Sequence, residues 1–182
     1  MIKIAYWQVV IIFTFLWITI RIFSFIRKRN ASEKVNFFEE LKLPVFFCLL
    51  IIIRIVYFPW HHVNGHIGFL NFDSKKIVPV KMNLVPFVHL FDIYSGWLMN
   101  IIGNIAMFIP VGIIWPMCFK KINRLWKMVF VGFGISLFIE LSQFLFYERC
   151  TDIDDLLMNT FGVFIGALIY FGFKRLAHGN KE

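Results

Sequence analysis

Charge is what this sequence has least of. Of its 182 residues only 16% are charged while 59% are hydrophobic, phenylalanine alone supplying 24, a balance far from that of a soluble domain of similar length. That shortage excludes a water-soluble fold and points to an integral membrane protein. Cysteine is scarce as well: Cys48, Cys118 and Cys150 stand in or beside apolar stretches with no CxxC spacing. Neither a disulfide framework nor a zinc site is expected from them, and they read as small buried hydrophobes. The sequence also lacks a Walker loop, a hydrolase elbow and an HExxH helix, which removes those particular chemistries. A net charge of +8 would suit nucleic acid, but the basic residues lie in short runs between apolar segments, so no nucleic-acid partner is expected.

What is present is a series of apolar runs. Five stretches, about 4–26, 43–60, 97–119, 128–147 and 155–173, each approach the roughly 20 residues needed to cross a hydrocarbon core. The expected fold is an all-α, polytopic membrane helical bundle of about five transmembrane helices. The first run is too long for a signal-peptide core and is followed by Arg27, Lys28 and Arg29, so it is kept as a helix. Only the connector 61–96 is long, and the absence of a repeat or low-complexity linker suggests one bundle. Residues 1–79 read as a two-helix region with an outer loop, 80–173 as a three-helix membrane domain and 174–182 as a basic cytoplasmic tail.

With five spans the connectors alternate sides. One set carries Arg27, Lys28, Arg29, Lys34, Lys42, Lys120, Lys121, Arg124, Lys127, Lys174, Arg175 and Lys181. The other carries Lys3, Lys75, Lys76, Lys81 and Arg149 with most of the acidic residues, Asp73, Asp92, Glu148, Asp152, Asp154 and Asp155. The positive-inside rule then places the N-terminus outside and the C-terminus in the cytoplasm. Arg21 and Arg54, inside the first two runs, are expected to snorkel towards the interfaces.

That orientation collects polar residues at one depth. Asn100 and Asn104 lie one turn apart at the start of the third span, Glu140 and Gln143 near the end of the fourth, and Asp155 and Asn159 at the start of the fifth. Intramembrane ionisable residues are costly, by roughly 2.5 kcal/mol or more, and usually mark a function or an internal partner. Gly162 and Gly166 form a GxxxG pair, and Gly103, Pro110 and Gly112 allow close approach or a bend, so the last three spans are expected to enclose a small outward polar cavity. The bland alternative is that the amides and carboxylates only join helices. Arg149, Asp152 and Asp155 would stand at the cavity mouth, and Asp152 or Asp155 would cap the fifth span. The cluster HHVNGH, with His62 and His66, reads as solvated surface, and no metal or cofactor is expected. The stretch KMNLVPFVHLFDIYSGW, amphipathic after Pro86, would lie along the interface as a rim or a re-entry segment.

Three segments, NLVPF (83–87), NIAMFIPVG (104–112) and ELSQFLFYERCTDIDDLLMNTFGVFIG (140–166), resemble in that order the VanZ-like membrane family. The resemblance covers roughly residues 80–170 and makes 80–173 a VanZ-like domain. The family's polar positions fall on Asn83, Asn104, Glu140, Gln143, Arg149, Asp152, Asp155 and Asn159, which the resemblance implies as ligand-binding residues. It also implies a multi-pass protein of the cell membrane that lowers susceptibility to the lipid-anchored glycopeptide teicoplanin. The outer polar layer would then bind or modify a lipid-linked envelope component, or meet the antibiotic itself. A second reading is a membrane-embedded enzyme acting on a lipid-linked precursor, with Glu140 as general base, Arg149 holding a phosphate or carboxylate and Asp152 or Asp155 positioning a nucleophile or cation. A small transporter is the third, and the apolar inner halves of the last three spans give it no complete path. The sequence leaves the ligand, any reaction and the oligomeric state open.

Overall fold

The computed structural model describes residues 2–58, 62–63, 66–72, 82–83, 85–86, 97–143, 146 and 151–179. The chain divides into two compact units, Met1–Phe72 and Asp73–Glu182, where the sequence suggested one bundle.

The first unit runs β1 (Ile2–Ile4), α1 (Tyr6–Asn30), α2 (Phe37–Glu40), α3 (Leu43–Tyr57), β2 (His62–Val63), β3 (His66–Ile67) and β4 (Leu70–Phe72). Gln8 Oε1 accepts the Ala5 N–H at 2.8 Å and so starts α1, half of a capping box. The last turn of α1 holds Arg27, Lys28 and Arg29, cations favoured where the helix dipole is negative. None of its residues is buried, and Trp7, Ile11, Phe15 and Phe23 are all more than half exposed. A helix so apolar along most of its length and so little covered belongs in lipid.

A short strap returns along α1. Ser32, at φ 59, turns the chain, Asn36 Oδ1 caps α2 by accepting the Phe38 N–H at 2.9 Å, and Pro44 sits in the first turn of α3, where its missing N–H costs nothing. Trp17, Arg21, Ser24 and Lys28, spaced by four, three and four, present one face of α1 to this strap. Trp17 Nε1 donates to the Leu41 carbonyl at 2.9 Å, while Ser24 Oγ and Lys28 Nζ each donate to the Glu40 carboxylate at 2.6 Å. Arg21 Nη1 lies 3.8 Å from the same carboxylate and its guanidinium rests over the Trp17 ring, so it is engaged within the unit where the sequence suggested snorkelling. Burial alone would push the Glu40 carboxyl up. The hydrogen bonds from Lys28 and Ser24 and the charges of Lys28 and Lys42 outweigh that and hold it below the ordinary carboxylate value.

α3 buries Val45, Cys48 and Ile52. Arg54 Nη1 donates to the Phe58 carbonyl at 3.2 Å, closing the helix end, and its guanidinium lies over the Tyr6 ring. β1 and β4 pair antiparallel, Ile2 opposite Phe72. His62 and His66 fall in the antiparallel hairpin β2–β3, not on a helical turn.

The second unit contains β5 (Met82–Asn83), α4 (Trp97–Cys118), α5 (Leu125–Gln143), β6 (Thr151–Asp152) and α6 (Ile153–Gly179). Among the described residues four helices, α1, α4, α5 and α6, are long and apolar enough to cross a membrane. α3, with 15 residues, reaches about 22 Å at 1.5 Å per residue, short of the roughly 30 Å hydrocarbon core. The five apolar runs thus appear as five helices of an all-α polytopic membrane protein, four of them of full spanning length.

α4 and α6 meet at their backbones. A Cβ on Gly162 would strike the Ile105 carbonyl oxygen, one on Gly166 the Ile109 carbonyl oxygen, and one on Gly112 the Val163 carbonyl oxygen. Small residues one turn apart permit this approach, and apolar lipid leaves such contacts to drive association. Gly132 brings α5 against the Val163 side chain. Phe108, Val111, Met128, Val163 and Ala167 are fully buried, giving the unit a dry apolar core. Gly103, by contrast, faces open space and makes no close approach.

Candidate functional site: the polar end of the three-helix unit

α4 and α6 begin, and α5 finishes, at the same end of the second unit, and the buried polar side chains of these helices are found there. Asn104 Nδ2 donates to Asp155 Oδ1 at 2.5 Å, joining α4 to α6. Asn159 Nδ2 donates to Ser136 Oγ at 3.0 Å, joining α6 to α5. Glu140 Oε2 accepts the Asp152 N–H at 3.1 Å, tying α5 to the segment that enters α6. Three helices are therefore cross-linked through polar groups at one level, as the helical depth of these residues suggested.

Local structure sets each group. Asp152 stands just before α6, and its Oδ1 accepts the Asp154 N–H at 2.9 Å, the N-cap role that short acidic side chains fill. Asp154 and Asp155 follow in the first turn, where the helix dipole favours anions. Asn83 pairs through its backbone with Asp152 in the parallel bridge β5–β6. Ser136, Glu140 and Gln143 share one face of α5 by their spacing, and all three are buried. Asn100, in the first turn of α4, is exposed. Arg149 and Cys150 lie outside the described residues, as do residues 87–96 of the expected rim.

Two buried residues escaped the sequence reading. Ser136, fully buried, is the partner of Asn159, and its position four residues before Glu140 was the available signal. Asp154, 6% exposed, looked like an outer carboxylate beside its neighbours. The amide oxygens Gln143 Oε1 and Asn159 Oδ1 are buried with no hydrogen-bond partner among the described residues. The cluster is rich in oxygen acceptors, and a buried acceptor without a donor costs roughly 1–3 kcal/mol. Such an arrangement can receive donors from a bound molecule.

The fold and this cluster define a helical integral membrane protein with a polar end built by three closely packed spans. The chain belongs to the VanZ/LLP1 family, whose model matches residues 45–175, further towards the N-terminus than the motifs alone. It is 38% identical over 90 residues to Protein VanZ of Enterococcus faecium, a stretch covering 50% of this chain and 52% of that protein. The chain thus spans about half the length of the curated relative it matches. No solved structure matches it.

Proposed function

We propose that this protein lies in the cell membrane as a multi-pass protein and lowers susceptibility to lipid-anchored glycopeptide antibiotics such as teicoplanin. The polar end of the three-helix unit is its working site, facing the outer leaflet, where it engages a lipid-linked envelope component or the antibiotic. The observation that carries this reading is the buried carboxylate of Glu140, 3% exposed, within a cross-linked polar layer of otherwise apolar spans. A buried polar network is a poor route to stability when apolar packing would serve as well, so its presence inside a membrane helix favours a function. The outward orientation rests on the distribution of Lys and Arg between the connectors.

Expression of the native chain in a susceptible Gram-positive host should raise the inhibitory concentration of teicoplanin, with less effect on vancomycin, which lacks the acyl anchor. Arg149→Ala and Asp155→Asn should each cancel that rise at equal protein levels, whereas Cys150→Ser should leave it intact. No rise from the native chain would remove the drug-related function while leaving the family and the fold in place.

A further inference from the structure

We infer that the polar end of the three-helix unit recognises a primary ammonium group, offered in a membrane by the headgroup amine of an envelope lipid. The inference rests on reading this end as a ligand site and specifies what the ligand presents. Two observations carry it. Asn159 and Gln143 are 3% and 7% exposed, and the oxygen of each amide has no donor among the described residues. Because Ser136 Oγ takes the Asn159 Nδ2 hydrogen, the amide oxygen is turned away from that serine and left for another partner.

These two oxygens share helix faces with carboxylates. Asp155 is one turn before Asn159 on α6, and Glu140 is three residues before Gln143 on α5, so both oxygens neighbour an acidic side chain along their own helices. The described residues of this end include the carboxylates Glu140, Asp152, Asp154 and Asp155. The ligand must therefore donate hydrogen bonds and tolerate or welcome negative charge. A primary ammonium has three donors, no acceptor and a positive charge, and its bonds to carboxylates are charge-assisted. A phosphate or carboxylate without an attached amine offers no donor to either amide oxygen. Among the described residues no three acidic, histidine or cysteine side chains form a metal-binding group; amide oxygens can also ligate a hard cation, so the test includes a chelator.

The test uses the full chain in nanodiscs containing equal parts of phosphatidylethanolamine and its N-acetylated form, with native mass spectrometry reading which lipid stays bound. The free-amine lipid should be retained at least about tenfold better, the scale expected for losing a charge-assisted bond. Gln143→Leu and Asn159→Leu should each reduce that preference, and Gln143→Glu should keep it. Equal retention of the two lipids by the native chain would overturn the inference, whatever the variants do. Loss of binding on adding a chelator would also overturn it, in favour of a metal. Free ethanolamine that displaces the lipid would locate recognition in the amine alone; failure to displace would assign it to the amine held on a lipid, and a preference that Gln143→Leu and Asn159→Leu both leave unchanged would overturn the assignment to this end. Because the readout is lipid retention, amine preference without teicoplanin resistance would defeat the proposed function and not this inference.

Discussion

Glu40 keeps only 2% of its surface exposed while receiving hydrogen bonds from Ser24 and Lys28, so its carboxylate is a tie between α1 and the strap. Its folded pKa lies below the ordinary value of 4.5. A depressed carboxyl stabilises fully above its unfolded pKa, and that contribution is lost as pH falls through the folded value. Thermal unfolding of the native chain in detergent should therefore shift downward as pH falls through the carboxylate range. Glu40→Gln should lower stability at neutral pH by about 1–3 kcal/mol and flatten that acid dependence; parallel acid profiles for the two proteins would contradict the tie. Glu40 was not legible in the sequence, because its partners are 12 and 16 residues away on another helix and it sits in a charged connector. Glu140 was legible, because an acidic residue inside an apolar run is conspicuous wherever the chain folds.

At the scale of elements, the α4–α6 contact depends on three glycines whose missing side chains let carbonyl oxygens approach. Replacing Gly166 with Leu should force the helices apart, since the obstacle is the Ile109 backbone and not a movable side chain. The melting temperature should fall sharply or the protein should fail to accumulate. Gly103→Ala and Gly134→Ala, where a Cβ meets nothing within 4 Å, should be neutral or raise stability by about 0.5–1 kcal/mol through helix propensity. Equal damage at Gly166 and Gly134 would show that close approach is not what holds these helices. The GxxxG spacing made the Gly162–Gly166 face legible, and the length of the apolar runs pointed to the helices. Periodicity alone could not tell that Gly103 faces open space while Gly112 meets α6, because that depends on how α4 is rotated against its neighbour.

For the whole molecule, the distribution of Lys and Arg between the connectors predicts the orientation, and with it the side of the membrane to which the polar end is proposed to face. Cys150 in intact cells should react with a membrane-impermeant maleimide, and Cys118, at the end of α4, should not; labelling of Cys118 alone would invert the orientation. The polar end itself was legible because helices have fixed rise, so residues near span ends fall at predictable depths. The pairing of Asn104 with Asp155 and of Asn159 with Ser136 was not, since it depends on the rotation of three helices about one another. The central claim is that this end works as a site and does more than join helices, and the Glu140→Gln variant tests it most directly. Glutamine keeps the shape and an oxygen able to accept the Asp152 N–H, while removing a potential charge that would be costly inside a membrane helix. At equal membrane levels in a teicoplanin-challenged host, the variant should fall to the inhibitory concentration of the host without the protein while unfolding at the same or a higher temperature. Full resistance in a well-expressed Glu140→Gln strain would show that the glutamate is structural.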